Sequence, residues 1–169
     1  QLLNAAKLAA SLAVSGQTVA RYLDLMADLM LVRRLRPWAS NEGKRLVRAP
    51  KVYVRDSGLV HALLGLTHFD DVIAHPVVGG SWEGWVIDNL LATAPLGTQA
   101  YFYRSSAGAE IDLVLELPKR QRWAIEIKRS SAPSVNKGFH IAAADLQATS
   151  KFVVHAGADR YPLGHQTQA

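Results

Sequence analysis

Asp112, Glu126 and Lys128 are the residues whose types and spacing could do chemistry in this chain. Asp112 lies between Ile111 and Leu113 in the run Gly-Ala-Glu-Ile-Asp-Leu-Val-Leu-Glu that starts at Gly108. Glu126 and Lys128 lie in Trp-Ala-Ile-Glu-Ile-Lys, which starts at Trp123. Both runs read as strands, joined by the basic turn Pro118–Arg122. Residues two apart on a strand share a face, so Glu126 and Lys128 point one way and Ile125 and Ile127 the other. The spacing of Asp112 and Glu126 suits a hairpin that sets them side by side. Two carboxylates and an ammonium on neighbouring strands are what a hard divalent cation and an attacking water need. The bland alternative is a satisfied polar network without chemistry.

The elements that must position these groups follow from the surrounding pattern. A helix opens at Ser81, runs through Trp82 and Trp85 to Ala94, and is stopped by Pro95 and Gly97. Glu83 stands four residues before Ile87 and seven before Leu90, on the apolar stripe of that helix. A carboxylate facing inward is costly unless it meets a cation or a metal. Taken alone, Glu83 reads as an acid favoured by the helix N-terminus; beside Asp112 and Glu126 it joins the candidate site. Gln99–Arg104 is an aromatic strand and Ser105–Gly108 its turn. Glu110–Glu116 follows, with Ile111, Leu113 and Leu115 on one face and Glu110, Asp112 and Glu116 on the other. Beyond Pro133 a helix is expected over roughly 135–147, and Lys151–His155 reads as a fourth strand. Helix, three consecutive strands, helix, strand make an α/β sandwich on a mixed sheet of four or more strands, a meander followed by a crossover.

The first third of the chain reads differently. Leu2 to Leu12 is Leu- and Ala-rich and predicts a helix. Ser15 can cap a second helix starting near Gln17, in which Val19, Tyr22, Leu23, Met26, Leu29 and Met30 share a broad apolar face. Leu31–Trp38 and Leu46–Val54 read as a hairpin around Asn41–Lys44. A helix-turn-helix with a β-hairpin behind it is the plan of a winged helix. Arg33, Arg34, Arg36, Lys44, Arg45, Arg48, Lys51 and Arg55 stand against Glu42 alone, so the hairpin can lie along a phosphate backbone while Gln17, Thr18 and Arg21 reach base edges. Equally, the basic residues can pair with acidic neighbours. Asp56 or Ser57 caps a helix through Leu64, and 67–80 reads as a linker or domain junction. His61, His68 and His75 recur every seven residues, but Gly65 and Pro76 interrupt any helix that could align them, so they are expected to be ordinary surface or loop residues. The boundaries expected are 1–66 for a winged-helix domain and 67–169 for the α/β domain, an α+β chain overall.

Composition bounds these expectations. With 169 residues, 49% of them hydrophobic and 20% charged, the chain can bury one large core or two small ones. The net charge of +5 is concentrated in residues 1–65, while residues 66–169 are near neutral; a polyanion partner for the first part follows. No apolar run reaches the ~20 residues needed to span a bilayer. The absence of cysteine excludes disulfides and thiolate zinc sites and suits a reducing cytoplasm. The first residues, Gln-Leu-Leu-Asn, suggest a fragment of a longer chain. The serine pairs at 105–106 and 130–131 lie in turns with no nucleophile-elbow pattern around them.

The order helix acid, strand Asp, strand Glu-x-Lys resembles the PD-(D/E)xK nuclease superfamily, the restriction-endonuclease-like fold, with Ile111 where the motif has Pro. The resemblance implies Glu83 as the helix acid, Asp112 and Glu126 as ligands of Mg²⁺ or Mn²⁺, and Lys128 as the motif lysine. It implies that Glu83 holds a second metal or a bound water. Across nearly its whole length the chain is similar to the C-terminal region that follows the ATPase module in prokaryotic AAA-type ATPases. That similarity is carried by Leu-Ala-x-x-Leu-Ala-Val-Ser at 8–15, Thr-Val-Ala-Arg-Tyr-Leu at 18–23, Gly-Lys-Arg-Leu-Val at 43–47, Pro-Lys-Val-Tyr-Val-Arg-Asp-Ser-Gly-Leu at 50–59 and Trp-Glu-Gly-Trp-Val at 82–86. It implies an upstream ATPase in the same polypeptide. No Gly-x-x-x-x-Gly-Lys-[Ser/Thr] loop occurs in the chain, so no ATP site is assigned.

The expected function is a nucleic-acid-binding module, for DNA first, with a Mg- or Mn-dependent endodeoxyribonuclease site. One alternative is a catalytically silent nuclease-like interaction or DNA-binding module; another is a winged-helix transcription regulator. A homo-oligomer is compatible with each.

Overall fold

A computed structural model of the chain describes residues 2–38 and 47–169. Among the described residues the helices are α1 (Ala5–Ser11), α2 (Gly16–Asp28), α3 (Ser57–Leu63), α4 (Phe69–Ala74), α5 (Val78–Thr93) and α6 (Lys137–Asp145). The strands are β1 (Val32–Pro37), β2 (Lys51–Val54), β3 (Gln99–Arg104), β4 (Glu110–Leu117), β5 (Gln121–Ile127), β6 (Ser150–Val154), β7 (Pro162–Gly164) and β8 (Thr167–Gln168). They form a mixed sheet in the order β2-β1-β3-β4-β5-β6-β8-β7. The chain divides into two compact units, Gln1–Leu35 with Ala49–Trp85 and Arg36–Arg48 with Val86–Ala169.

In the first unit, Ser15 caps α2 by accepting from the Thr18 amide at 3.0 Å, as its position predicts. The first helix is shorter than expected. Leu2 bridges to Lys51 and the Leu3 amide donates to the Pro50 carbonyl at 2.8 Å, so the first residues run as extended chain. Asn4 then accepts from the Lys7 amide and starts α1. The expected apolar face of α2 is also largely open: Val19 is buried, whereas Tyr22, Met26, Leu29 and Met30 are exposed. Seven residues of α1 span ~10 Å and cannot cover a thirteen-residue helix of ~20 Å. β1 and β2 pair antiparallel from Val32↔Val54 to Leu35↔Lys51. The second strand begins after Pro50, which has no amide to give a ladder; the expected turn at 41–44 and strand start at Leu46 lie outside the described residues. Residues 67–80, expected to be a linker or domain junction, are largely helical rather than a linker. They hold α4, whose first turn carries Asp70 and Asp71 and whose His68 amide donates to Asp71 at 3.2 Å, and the first turn of α5. The glycines at 79 and 80 mislead, since a helix tolerates them when its later turns are well packed.

In the second unit, β3, β4 and β5 form the expected meander, and α6 carries the chain across to β6, which lies parallel to β5. Asn136 starts α6 by accepting from the Phe139 amide. Arg36 and Pro37 pair with Tyr101 and Phe102. A core of Tyr103, Ile111, Val114, Ala124, Phe139 and Leu146 fills the space between the sheet and α6. The alternation expected along β4 fails at one place. Tyr101 pairs with Val114 and Tyr103 with Ile111, so β3 advances two residues where β4 advances three. This bulge at Asp112–Leu113 puts Ile111 and Val114 in the same core, although a regular strand would face them oppositely. Downstream of it Leu113, Val114 and Leu115 are all buried, because both faces of this central strand are covered. Two short strands at the C-terminal end, β7 and β8, carry too few residues for any period to be read from sequence.

Candidate active site

Asp112 reaches the site through the unbroken β4–β5 register, at the place where β4 bulges against β3. The β4–β5 ladder ends at Leu113↔Ile125, and one further step sets Asp112 opposite Glu126. Asp112 Oδ2 accepts the Ile127 amide at 3.0 Å, which fixes the carboxylate across the strand pair. Glu126 is 6% exposed, and its Oε1 accepts from Lys128 Nζ at 2.6 Å. Lys128 sits just past β5, held in line by its amide donating to the Val154 carbonyl at 2.9 Å. Sequence spacing therefore brings Asp112, Glu126 and Lys128 to one place.

The electrostatics of this place are lopsided. Burial, and then the Asp112 charge, push the Glu126 carboxyl up to about 7, while the hydrogen bond and charge of Lys128 pull in the other direction. Burial works against the Lys128 charge, but the hydrogen bond to Glu126 and the charges of Glu126, Asp112 and Glu110 outweigh it and raise its pKa. Glu110 thus belongs to the electrostatic neighbourhood, although sequence reasoning left it outside the site; its place two residues before Asp112 was the available signal. It also pairs with Arg104 at 3.4 Å. Glu116, expected on the same face, is taken elsewhere: it accepts from Trp38 and Arg122, both at 2.9 Å.

Glu126 Oε2 is buried and has no hydrogen-bond partner among the described residues. Two neighbouring carboxylates, one of them with a buried oxygen unpartnered among the described residues, fit a hard cation bound through oxygen. Among the described residues no group of three or more His, Cys, Asp or Glu is arranged for a metal. A cation at Asp112 and Glu126 would therefore rely on backbone carbonyl and water for the rest of its shell, as Mg²⁺ commonly does.

Glu83 is found in the first unit, with partners of its own. Its Oε1 accepts from Lys51 Nζ at 2.8 Å and from the Tyr53 hydroxyl at 2.6 Å. The inward carboxylate expected on the stripe is real, and a cation meets it. Lys51, counted in the sequence among the residues of a basic hairpin surface, is 4% exposed and engaged by Glu83, so it is not available to a phosphate.

The residues expected at a nucleic acid fall into three groups. Gln17, Arg21, Arg36 and Arg48 are exposed, and Thr18 and Arg33 are half-buried. Thr18 shares a hydrogen bond with Ser15, and Arg34 forms an ion pair with Asp24 of α2. Lys44 and Arg45 lie outside the described residues. The histidines at 61, 68 and 75 do not cluster: His61 is bonded to Ser81 at 2.8 Å and the His75 ring accepts the Val77 amide at 3.1 Å. Among the described residues no helix is long and apolar enough to cross a membrane.

Comparison with known proteins places the chain in a family. Residues 1–70 match the family described as Domain of unknown function (DUF8612). The chain is 44% identical over 169 residues to Uncharacterized protein Rv2008c of Mycobacterium tuberculosis and to Uncharacterized protein Mb2031c of Mycobacterium bovis. Each match takes in 96% of this chain and 36% of the relative, so the chain spans about a third of the length of these curated relatives. No solved structure matches. Residues 78–169, more than half of the chain and all three residues that meet at the site, match a second family, and the chain belongs to it: Domain of unknown function (DUF4143).

Proposed function

We propose that the chain is the nucleic-acid-binding C-terminal module of an ATPase and that Asp112, Glu126 and Lys128 form a divalent-metal-dependent phosphodiesterase centre acting on DNA. One observation carries this: the buried Glu126 lies beside the Asp112 charge with one oxygen on Lys128, and its other oxygen has no hydrogen-bond partner among the described residues. A cluster kept for stability alone gains little from that arrangement, since burying charge costs about what pairing returns. The winged-helix and restriction-endonuclease-like folds, and the upstream ATPase, belong to the same proposal and rest on the motif order.

The roles follow from position. Asp112, fixed by the Ile127 amide, and Glu126 would hold Mg²⁺ or Mn²⁺, with the carbonyl of residue 127 as a further oxygen donor. Such an ion supplies Lewis-acid polarisation of a phosphate and lowers the pKa of water. Lys128, hydrogen-bonded to Glu126, would orient an attacking water and stabilise the charge that develops on the phosphate. The resemblance gives Glu83 the part of the helix acid; the partners of its carboxylate are Lys51 and Tyr53. Gln17, Arg21, Arg36 and Arg48, which are exposed, and Arg33 supply affinity for the phosphate backbone and the base edges.

One finding favours a second assignment, a silent nuclease-like module: among the described residues no third metal-binding side chain joins the two carboxylates. The experiment that separates them is cleavage of supercoiled plasmid in Mg²⁺ or Mn²⁺ by the wild type, Glu126→Ala and Lys128→Ala. Loss of cleavage in both variants is expected. Equal background nicking in all three samples would sink the phosphodiesterase.

A further inference from the structure

A cavity of about 650 Å³ in the second unit has lining groups that the phosphodiesterase centre does not use. Lys137, His140, Lys151 and His165 line it, together with the apolar walls Pro133 and Val135, and none of its lining residues is acidic. The His140 and His165 rings lie 4.9 Å apart at 56°. Lys151 is anchored at the cavity by donating to the His165 carbonyl. Two ammonium groups and two imidazoles are thus gathered without a counter-charge among the lining side chains.

The details select the kind of ligand. A histidine pair by itself would suit a metal ion, but Lys137 and Lys151 in the same cavity repel cations and attract anions. His140 Nδ1 is buried and has no hydrogen-bond partner among the described residues. Burial, and then the charges of His165 and Lys151, lower the His140 pKa, and a bound anion would act in the opposite direction. The nine-residue α6 begins at Lys137, so the first turn of that helix, where backbone amides favour negative charge, stands at the rim. A tetrahedral dianion can engage several such donors at once, and the apolar walls can seat the group attached to it.

We propose that this cavity binds a phosphate monoester, the phosphate held among Lys137, His140, Lys151 and His165 and the organic group against Pro133 and Val135. The assignment is independent of the phosphodiesterase centre, and it is tested without divalent metal so that the two can fail separately. Adenosine monophosphate and, separately, inorganic phosphate are titrated into the full chain at pH 7 and constant ionic strength, following the His140 and His165 ring resonances by NMR. Saturable shifts of both rings are expected, with the monophosphate binding more tightly than inorganic phosphate. Lys137→Met and Lys151→Met should each weaken binding by about tenfold, the loss expected for one charge-assisted hydrogen bond. Should Lys151→Met fail to fold, the exposed Lys137→Met carries the comparison. Shifts that never saturate, or that are unchanged in the Lys137→Met protein, would overturn the site. Inorganic phosphate binding as tightly as the monophosphate would overturn the monoester assignment.

Discussion

Two lysine–carboxylate pairs in this molecule have similar lengths and opposite electrostatic situations. Lys51 meets Glu83 at 2.8 Å in the first unit, and Lys128 meets Glu126 at 2.6 Å in the second. In the first pair one acid faces one ammonium and a tyrosine hydroxyl, so charge and hydrogen bonds close locally. In the second, Glu126 meets its ammonium beside the like charge of Asp112, and burial with that charge raises its pKa to about 7. A short ion pair by itself therefore says little about function. The informative sign is a buried carboxylate set beside a like charge, with one oxygen unpartnered among the described residues, an arrangement that burial does not favour and that a further cation would relieve.

The difference can be broken at several points. The largest effect is expected on activity: Glu126→Ala and Lys128→Ala should each lower the rate of plasmid cleavage by on the order of 10²-fold or more, as removal of an electrostatic contact in a transition state does. Their circular dichroism spectra should match the wild type. The mirror experiment is Lys51→Met, which leaves a largely buried carboxylate with a hydroxyl as its remaining described partner. Urea denaturation should show a loss of about 3 kcal/mol, typical of breaking a buried pair from one side. If Lys51→Met were as stable as the wild type, the first pair would not be structural and the contrast would collapse.

A pH experiment sharpens the same contrast. Glu126 titrates near 7 when folded against 4.5 as its ordinary value. Between those values the native state holds a proton that the unfolded chain has released, so stability falls as pH rises through that window and levels off above it. The total is at most about 3.4 kcal/mol, at 1.36 kcal/mol per pKa unit. Mg²⁺ should restore stability above pH 7, and Glu126→Gln should flatten the profile; a wild-type curve that stays flat from pH 4.5 to 7.5 without metal would contradict the raised carboxyl. The smallest expected effect is again in the first unit. A Cβ at Gly84 would stand 3.1 Å from the Tyr53 ring, so Gly84→Ala should displace the residue that holds Glu83 and cost about 1 kcal/mol in thermal unfolding.

How much of this was legible in the sequence depends on how far apart the partners are. The Glu126–Lys128 pair is two residues apart on a strand, and strand periodicity alone delivers it. The Ser15 cap and the meander are local in the same sense. Glu83 was legible as an inward acid, but its partner Lys51 stands 32 residues away on a strand and read as one more basic surface residue. Of the two readings of 67–80, linker or domain junction, the linker failed because glycine and histidine composition outweighed two acids well placed for a helix start. Alternation along β4 failed because nothing in Glu-Ile-Asp-Leu-Val announces an extra residue. The cavity at His140 and His165 escaped too, since it joins residues from three separate segments.

That extra residue in β4 has a consequence for how the chain can vary in length. With it, β4 keeps Ile111 and Val114 in the core while Asp112 is handed to the opposite partner strand. Substitution at Leu113 asks only for another apolar side chain of similar volume. Removing one residue between Ile111 and Val114 asks for more: either the acid or the core must change sides. The hairpin therefore behaves as a joint of fixed length, permissive of exchange and intolerant of deletion, in which the count of residues, rather than their identity, keeps the carboxylates facing each other.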